Sequence, residues 1–485
     1  MEFRRPFAAF VALAAAGLLI EPACSSDGGA SDAGDAGDEA ADAAPDLLVP
    51  PPIQRDKSEA ELAPERAACT FGAGAWPADT IGNDDPIGAD IPIDHVIVIM
   101  QENRSFDNYL GRLVAQGYYQ DGEVDVPPAG WSNLDGTGAT VVPHPDDEYC
   151  FGVNHSWGAE HDDYDDGKLD HFVTQNEPDG QRTFFYEDDT VIPFYYALAN
   201  TFSIGDRYFC SALTSTWPNR FYMMAATSFG IGDNSFDTLD TGENPSPQIF
   251  SLLEAGGHTW KDYTDGPHQV EFFPYFGFSS DARANYADVQ CGLFGDMANG
   301  TLPDVAYVMG DEINETSDEG PSALPGIGGA LVEAIVRALF ASPEWKSTAL
   351  FITYDENGGM ADHVPPAKAC APDGLAPHDG NGNPLPGAFD TTGFRVPFIV
   401  VSPYAKAHHV SHVVYDHTSI VRFIEARFGL PALTARDANA TPPYDAFDFQ
   451  SPPFLVPPTI AAHTTVPGAV LAQCNQSLAP TTCTH

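Results

Sequence analysis

Residues 95–103, HVIVIMQEN, are the stretch that decides how this chain folds. The continuous apolar run at 96–100 is typical of a strand that is buried on both faces of a parallel sheet. Glu102 and Asn103 follow it at once, and open α/β sheets place their sites at the carboxyl ends of such strands. The stretch therefore predicts a buried strand whose end opens onto a functional site.

The same arrangement recurs near residue 350. Residues 349–354, ALFITY, predict a second buried strand, and Asp355 and Glu356 follow it directly, just before two glycines. Adjacent carboxylates at a strand end suit a metal ion, although Asp, Asn and Gly are also ordinary turn residues. Because the chain carries two strand ends of this kind, the pattern favours a functional site.

An alternation of strands and helices organises the chain from about residue 90 to residue 430. Further strands are predicted at 202–209 and 395–401, and helices at 328–342 and 420–428. This rhythm predicts an α/β fold with one mostly parallel central sheet and helices on both faces. Residues 111–200 and 231–300 lack the rhythm and are rich in Gly, Pro, Asp and aromatics, so we interpret them as long loop-rich insertions that could roof the site.

A candidate nucleophile lies in residues 215–220, STWPNR, which precede an apolar run. The proline two positions after Thr216 suits the first turn of a helix. Thr216 is then expected just before that helix, where free N–H groups and the helix dipole favour an anion. A hydroxyl held there can attack phosphorus if a divalent metal lowers its pKa. A plain helix cap is the alternative interpretation.

The composition excludes one broad class of function. The chain carries 69 acidic and 21 basic residues, which gives a formal net charge of −48. Generic nucleic-acid binding needs a basic surface, so no nucleic-acid partner is expected. Electrostatic attraction to anionic lipids is disfavoured for the same reason.

The N-terminus predicts export. Two arginines precede an apolar run at residues 7–20, which is too short to span a bilayer, and Cys24 follows a small residue. Cys24 resembles the lipidated cysteine of a bacterial lipoprotein, which would anchor the protein to a membrane. Ordinary signal cleavage and secretion is the alternative, so the expected location is the cell envelope or the medium.

The remaining organisation follows from composition and cysteine count. Residues 25–60 predict a disordered acidic linker, 61–455 a catalytic domain and 456–485 an irregular tail. Apart from Cys24 there are seven cysteines, so at least one thiol is free, and Cys210 in its apolar run is the best candidate. Six others allow fifteen pairings, and a Cys474–Cys483 pair is only a guess.

Four motifs together resemble the bacterial phospholipase C and acid phosphatase family of phosphoesterases, which includes the plant non-specific phospholipases C. They are ENRSFD at 102–107, TWPNR at 216–220, DENGGMADHVPP at 355–366 and GFRVP at 393–397, with weaker support at 155–157 and 416–419. The resemblance implies an alkaline-phosphatase-like fold. It also implies hydrolysis of a phospholipid or small phosphoester through a covalent phospho-threonine.

The resemblance also implies roles for individual residues. The implied site consists of the nucleophile Thr216, the metal ligands Glu102, Asn103, Asp355 and Glu356, the phosphate or proton-transfer residues His155 and His363, and the substrate-binding residues Asn219, Arg220 and His417. Oxygen ligands of this kind suit one hard divalent ion such as Ca²⁺, Mg²⁺ or Mn²⁺. For the histidines, structural hydrogen bonding is the alternative, and for His417 helix capping.

The chain departs from the family pattern at one place. Many members have a His-Pro pair, whereas here Gly320 precedes Pro321. This departure puts one proton donor or phosphate contact in doubt. It also supports one alternative to an enzyme, a non-catalytic surface protein that retains the fold. Within the enzyme class, the alternative to a phospholipase C is an acid phosphatase acting on phosphomonoesters.

Overall fold

The computed structural model describes residues 48–466 apart from 53, 147–150, 236–247, 267, 269–284, 312–316 and 321–322. The predicted export signal, its Cys24 and the Cys474–Cys483 pair lie outside the described residues. Within them, no helix is both long enough and apolar enough to cross a membrane.

The elements of the described chain alternate along most of its length. The strands are β1 (His95–Gln101), β2 (Asn133–Leu134), β3 (Thr140–Val141), β4 (His144–Pro145), β5 (Phe185–Tyr186), β6 (Ser203–Gly205), β7 (Trp260–Thr264), β8 (Tyr286–Ala287), β9 (Val305–Met309), β10 (Thr348–Tyr354), β11 (Phe398–Val401) and β12 (His409–Ser411). The helices are α1 (Glu59–Ala67), α2 (Pro77–Thr80), α3 (Phe106–Tyr109), α4 (Trp157–Tyr164), α5 (Phe172–Gln175), α6 (Pro193–Thr201), α7 (Thr216–Ala225), α8 (Ile249–Ala255), α9 (Phe294–Asn299), α10 (Pro325–Ala341), α11 (His417–Phe428) and α12 (Ala435–Ala438).

One eight-stranded sheet forms the centre of the molecule, in the order β12-β6-β11-β10-β1-β9-β7-β8. Strand β1 pairs in parallel with β10 on one side and with β9 on the other. Strand β11 alone runs antiparallel to its two neighbours, β10 and β6. The prediction of a mostly parallel sheet is therefore confirmed.

Unbroken burial of the central strands shows that both faces of the sheet are covered. All seven residues of β10 are buried, and so are all residues of β1 except the half-buried His95. Successive side chains of a strand point to opposite faces, so such strands must have cover on both sides. Each fully buried aliphatic side chain contributes about 2 kcal/mol, which makes this pair of strands the main anchor of the fold.

One of the two predicted insertions belongs to the sheet instead. Strands β7 and β8 and helices α8 and α9 all lie in the region from 231 to 300, and β7 pairs with β9 over five residues. The sequence WKDYT of β7 mixes charged and aromatic residues, so it lacks the apolar run that marked the other strands. Residues 111–200 agree better with the prediction, because their described strands form two small separate sheets.

The start of α7 and the first ordered contacts of the domain differ from the boundaries predicted from the sequence. Thr216 is the first residue of α7 and Ser215 occupies the cap position, so the nucleophile candidate lies one residue further into the helix than expected. The predicted linker also ends earlier than residue 60, because Leu48 N–H donates to Ala255 O at 2.7 Å and the Arg55 guanidinium donates to the Asp85 carbonyl at 2.7 Å.

A disulfide joins the N-terminal segment to the rest of the domain. Cys69, two residues after α1, is bonded to Cys370, which is 301 residues away. Cys291 is disulfide-bonded as well. Cys210 is a buried free thiol, as predicted from its apolar surroundings.

We expect the double substitution Cys69→Ser/Cys370→Ser to destabilise the fold by about 2–5 kcal/mol, because the crosslink restricts a very long loop in the unfolded chain. Chemical denaturation at neutral pH measures the loss. The control Cys210→Ala removes a thiol without removing a crosslink and should cost less. Equal stability of the double variant and the wild type would contradict the prediction.

Candidate active site

Three distant segments meet where β1 and β10 end. Gln101 is the register partner of Tyr354, so Glu102 and Asp355 leave the sheet side by side. The Thr216 hydroxyl, at the start of α7, donates to Glu102 Oε1 at 3.3 Å. The three segments therefore converge at the carboxyl ends of β1 and β10.

The loop after β10 holds the second pair of predicted metal ligands. Asp355 Oδ1 accepts from the Asn103 N–H at 2.9 Å and from the Glu356 N–H at 2.7 Å. Gly358 has a positive φ of 63°, and a Cβ there would lie 2.6 Å from the Asn103 carbonyl oxygen. Only a glycine allows the two strand-end loops to approach this closely.

The donor atoms of this site fit a divalent cation. Asn103 Oδ1 and Glu356 Oε1 are buried and accept no hydrogen bond from any described group. Buried polar atoms are normally satisfied, so two orphaned oxygens beside two further carboxylates, Glu102 and Asp355, call for a positively charged partner. Carboxylate and amide oxygens are the ligands that Ca²⁺, Mg²⁺ and Mn²⁺ prefer.

The electrostatics of the site lead to the same conclusion. Burial is the main cause that raises the pKa of Asp355 to about 6, and the Arg220 guanidinium offsets part of the effect. Burial and the neighbouring Asp355 together raise the pKa of Glu356 well above its ordinary value. Arg220 alone thus cannot neutralise this cluster, and a bound cation would keep both carboxylates ionised.

The three residues predicted to bind substrate lie beneath the site instead. Asn219, Arg220 and His417 are all fully buried. The Asn219 amide accepts from the Ala212 N–H at 2.9 Å and donates to the Thr214 carbonyl at 2.9 Å, so it fixes the loop that leads to α7. Because these residues are buried, their contacts favour a supporting role over contact with the substrate.

Arg220 and His417 both support Asp355. Arg220 Nε donates to Asp355 Oδ2 at 3.1 Å. His417 Nε2 donates to the Asp355 carbonyl oxygen at 2.7 Å, and Nδ1 accepts from the Tyr208 hydroxyl at 3.1 Å. Burial lowers the pKa of His417 to about 4, so its ring is neutral and its tautomer is set by these two bonds.

His155 lies at the edge of the site, beside Glu356. Its Nδ1 donates to the Val153 carbonyl oxygen at 2.8 Å, which leaves a lone pair on Nε2. Nε2 lies 3.7 Å from Glu356 Oε1, and a quarter of the side chain is exposed. Burial lowers the pKa of His155, so the ring is neutral near pH 7 and Nε2 can accept a proton.

His363 belongs to a separate charge network. Its Nδ1 donates to Asp107 Oδ2 at 2.7 Å and its Nε2 to Asp125 Oδ1 at 3.1 Å. Arg395 donates to Asp107 at 2.7 Å and to Asp362 at 2.8 Å. Because both ring nitrogens are engaged as donors, His363 has no lone pair to offer to a reacting group, in contrast to the role that the resemblance implied.

The ligand atoms of Asp107, Asp362 and His363 lie close enough together to hold a metal ion. Arg395 already donates to both carboxylates. Although burial opposes the charged form of His363, Asp107 and Asp125 together raise its pKa to about 9. Two internal cations thus balance this cluster, and the ligand set at the ends of β1 and β10 is the better candidate for a metal.

The sequence profile of the Phosphoesterase family matches residues 93–431 of this chain. This chain belongs to the Phosphoesterase family. Phospholipase C A of Mycobacterium tuberculosis is 32% identical over 417 residues, which cover 76% of this chain and 80% of that protein. Non-specific phospholipase C1 of Arabidopsis thaliana is 31% identical over 388 residues, covering 72% and 70%.

A third relative of this phosphoesterase is longer. The non-hemolytic phospholipase C of Burkholderia pseudomallei is 31% identical over 428 residues, which cover 74% of this chain but 59% of that protein. Among solved structures, an alkaline phosphatase superfamily protein from Vibrio parahaemolyticus aligns over 78% of this chain and 76% of its own, with a TM-score of 0.37 and 10% identity.

Position 320 of this phosphoesterase faces the site. A Cβ added to Gly320 would lie 3.5 Å from Glu102 Oε2 and 3.1 Å from Asp318 Oδ2. Asp318 is buried and its charge contributes to the raised pKa of Asp355. Asp318 was not among the predicted site residues. Its position two residues before Gly320, where the family motif is interrupted, could have indicated that it lies at the site.

We expect the charged His363 to stabilise the fold at low and neutral pH. Its pKa rises from an ordinary 6.5 to about 9 on folding, which corresponds to roughly 3 kcal/mol. Because the folded-state pKa is raised, this stability is fully present below about pH 6.5 and is lost as the pH rises through about 9.

Urea denaturation of the wild type and His363→Gln between pH 6 and pH 10 measures this effect. The two proteins should differ most at pH 6 and converge above pH 9. The exposed His171→Gln serves as a control that should follow the wild type. A difference between wild type and His363→Gln that does not vary with pH would contradict the assignment.

Proposed function

We propose that this phosphoesterase hydrolyses phospholipids by phospholipase C-type cleavage through a covalent phospho-threonine at Thr216. The observation that carries the proposal is the 3.3 Å contact of the Thr216 hydroxyl with Glu102, at the point where Asp355 and Glu356 also converge. Relatives with 31–32% identity that are named phospholipase C favour a phospholipid over other esters.

Thr216 attacks phosphorus from the first turn of α7. Its proton passes to Glu102, to which the hydroxyl already donates, as the bond from phosphorus to Thr216 Oγ1 forms. The bond from phosphorus to the glycerol oxygen breaks, and that oxygen takes up a proton from water to give the diacylglycerol. The helix dipole at the start of α7 favours the developing negative charge on the phosphate oxygens, while the Trp217 N–H of that turn is engaged by Asn234 Oδ1 at 2.9 Å. A divalent ion held by Glu102, Asn103, Asp355 and Glu356 would supply charge neutralisation and lower the pKa of the hydroxyl.

The second half of the reaction releases the phosphorylated headgroup from Thr216. A water molecule must lose a proton as it attacks phosphorus, and His155 Nε2, a neutral and partly exposed base 3.7 Å from Glu356 Oε1, can accept it. The bond from phosphorus to Thr216 Oγ1 breaks, and Oγ1 takes back the proton held by Glu102. Its Nδ1 bond to Val153 keeps the correct tautomer for this task. His155 is therefore the proposed general base for hydrolysis of the phospho-threonine.

The disulfide bears on where the protein is located. A crosslink such as Cys69–Cys370 is stable in oxidising compartments outside the cytoplasm. This favours an exported enzyme, in agreement with the export signal expected at the N-terminus. Anchoring through a lipid on Cys24 is part of the proposal and would be tested by mass spectrometry of the mature N-terminus.

Assays of phosphatidylcholine and p-nitrophenyl phosphate test the proposed function. We expect diacylglycerol release by the wild type and a loss of at least about 10³-fold for Thr216→Ala, because the covalent route is removed. Thr216→Ser is the matched control, since it keeps a hydroxyl, and should retain measurable activity. Phosphate release from the monoester without diacylglycerol would favour the acid phosphatase. Full activity of Thr216→Ala would refute the covalent mechanism.

The missing histidine at position 320 gives a second test. Gly320→His would place an imidazole beside Glu102 and Asp318, where it could protonate the leaving oxygen. General acid catalysis is typically worth 10²–10⁴-fold, so we expect kcat to rise by about tenfold or more. Gly320→Ala, which fills space without adding a donor, is the control. An unchanged or lower kcat for Gly320→His, with the variant still folded, would show that the lack of a histidine at position 320 does not limit the rate of the reaction.

A further inference from the structure

The inner face of helix α4 carries two buried acidic residues that the proposed reaction does not use. Glu160 and Asp163 are one helical turn apart, so their side chains lie on the same face of the helix. Their exposed fractions are 1% and 0%. Acidic residues are almost never buried to this extent without a partner.

Neither carboxylate has such a partner. All four carboxylate oxygens of Glu160 and Asp163 are buried, and in the described chain none of them has a hydrogen bond of normal length and angle. No arginine or lysine of the described chain forms an ion pair with them. An uncompensated buried carboxylate costs several kcal/mol, so two of them side by side require a positive charge or a proton.

A third polar side chain, from another segment, approaches Glu160. Glu160 faces the Asn357 side chain and the Gly359 N–H, in the loop that follows Asp355 and Glu356. The Asn357 amide donates from Nδ2 to the Met360 carbonyl oxygen at 3.2 Å, but its buried Oδ1 accepts nothing. The Asn357 side chain, whose buried Oδ1 has no partner in the described chain, therefore lies beside Glu160.

A bound cation accounts for these unsatisfied oxygen atoms better than a shared proton does. One proton could neutralise only one of the two carboxylates, and it would leave three of their oxygens and Asn357 Oδ1 unsatisfied. A hard cation accepts several oxygen ligands at once, and carboxylates together with an amide carbonyl are typical ligands for Ca²⁺. Burial and the mutual repulsion of the pair raise the pKa of Glu160 well above its ordinary value, which is the expected sign when no counter-charge is present.

We propose that Glu160, Asp163 and Asn357 bind a second hard divalent cation, Ca²⁺ by preference, between helix α4 and the loop that follows β10. This cation is distinct from the one that Glu102, Asn103, Asp355 and Glu356 would hold. Its role is structural: it fixes the loop that carries two of those ligands to the helix that follows His155. The inference does not depend on the proposed reaction.

Metal analysis of the full-length protein after loading with Ca²⁺ and removal of excess ion tests the proposal. The wild type should retain two equivalents of Ca²⁺. Glu160→Gln/Asp163→Asn should retain one, and Glu102→Gln/Glu356→Gln should also retain one. The control Asp162→Asn/Asp166→Asn removes two exposed acids of the same segment and should retain two.

Thermal unfolding gives an independent readout. Ca²⁺ should raise the Tm of Glu102→Gln/Glu356→Gln, which keeps only the proposed site. It should raise the Tm of Glu160→Gln/Asp163→Asn less than that of the wild type. If Glu160→Gln/Asp163→Asn does not fold, Glu102→Gln/Glu356→Gln alone decides. Retention of one equivalent of Ca²⁺ by that variant, with a rise in Tm, supports the proposed site, and retention of none overturns it.

The outcomes separate this proposal from that of a catalytic metal. One equivalent in the wild type and none in Glu160→Gln/Asp163→Asn would support the second site and refute the first. An unchanged Ca²⁺ content in Glu160→Gln/Asp163→Asn, with stability in EDTA equal to or above that of the wild type, would overturn the second site in favour of shared protons or water.

Discussion

Buried negative charge at the carboxyl ends of β1 and β10 is the constraint on which the rest of the structure depends. The parallel register of the two strands brings Glu102 beside Asp355, and the tight glycine turn brings Asn103 beside both. Carboxylates so close together in a dry environment repel one another and lose their hydration. The surrounding elements are arranged to hold them in place in spite of this cost.

The support comes from residues that never reach the surface. Asn219 fixes the loop before α7, and Arg220 and His417 hold the side chain and the backbone carbonyl of Asp355. Because these groups are fully buried and hydrogen-bonded to the loops that they hold, the proposed nucleophile Thr216 and the proposed metal ligands keep one geometry. A site organised in advance needs little rearrangement when charge develops on a phosphate.

Three acidic clusters of the molecule differ in how their charge is balanced. The cluster around Asp107 contains its own cations, Arg395 and the charged His363. The strand-end cluster contains Arg220 alone, and the cluster at Glu160 has no basic partner among the described residues. For this reason we propose bound cations at the strand-end cluster and at the Glu160 cluster, but not at the cluster around Asp107.

The sequence by itself determined the central strands, the mostly parallel sheet and the motif residues that meet at its edge. Apolar runs and strand-end carboxylates are local patterns, so β1, β10, Glu102 and Asp355 could be assigned from neighbouring residues alone. The family motifs added Thr216. Cys210 was also assigned correctly, because an apolar run predicts burial.

Only the tertiary structure decided what each side chain does there. It added β7 to the sheet, because cross-strand pairing rather than an apolar run defines that strand. It moved His417 from substrate contact to support and placed His363 among carboxylates, since a residue's burial and partners are set by segments hundreds of positions away. Glu160 could not be recognised from sequence for the same reason: an acidic residue on a helix looks exposed until the packing shows that it is buried and that no described basic side chain pairs with it.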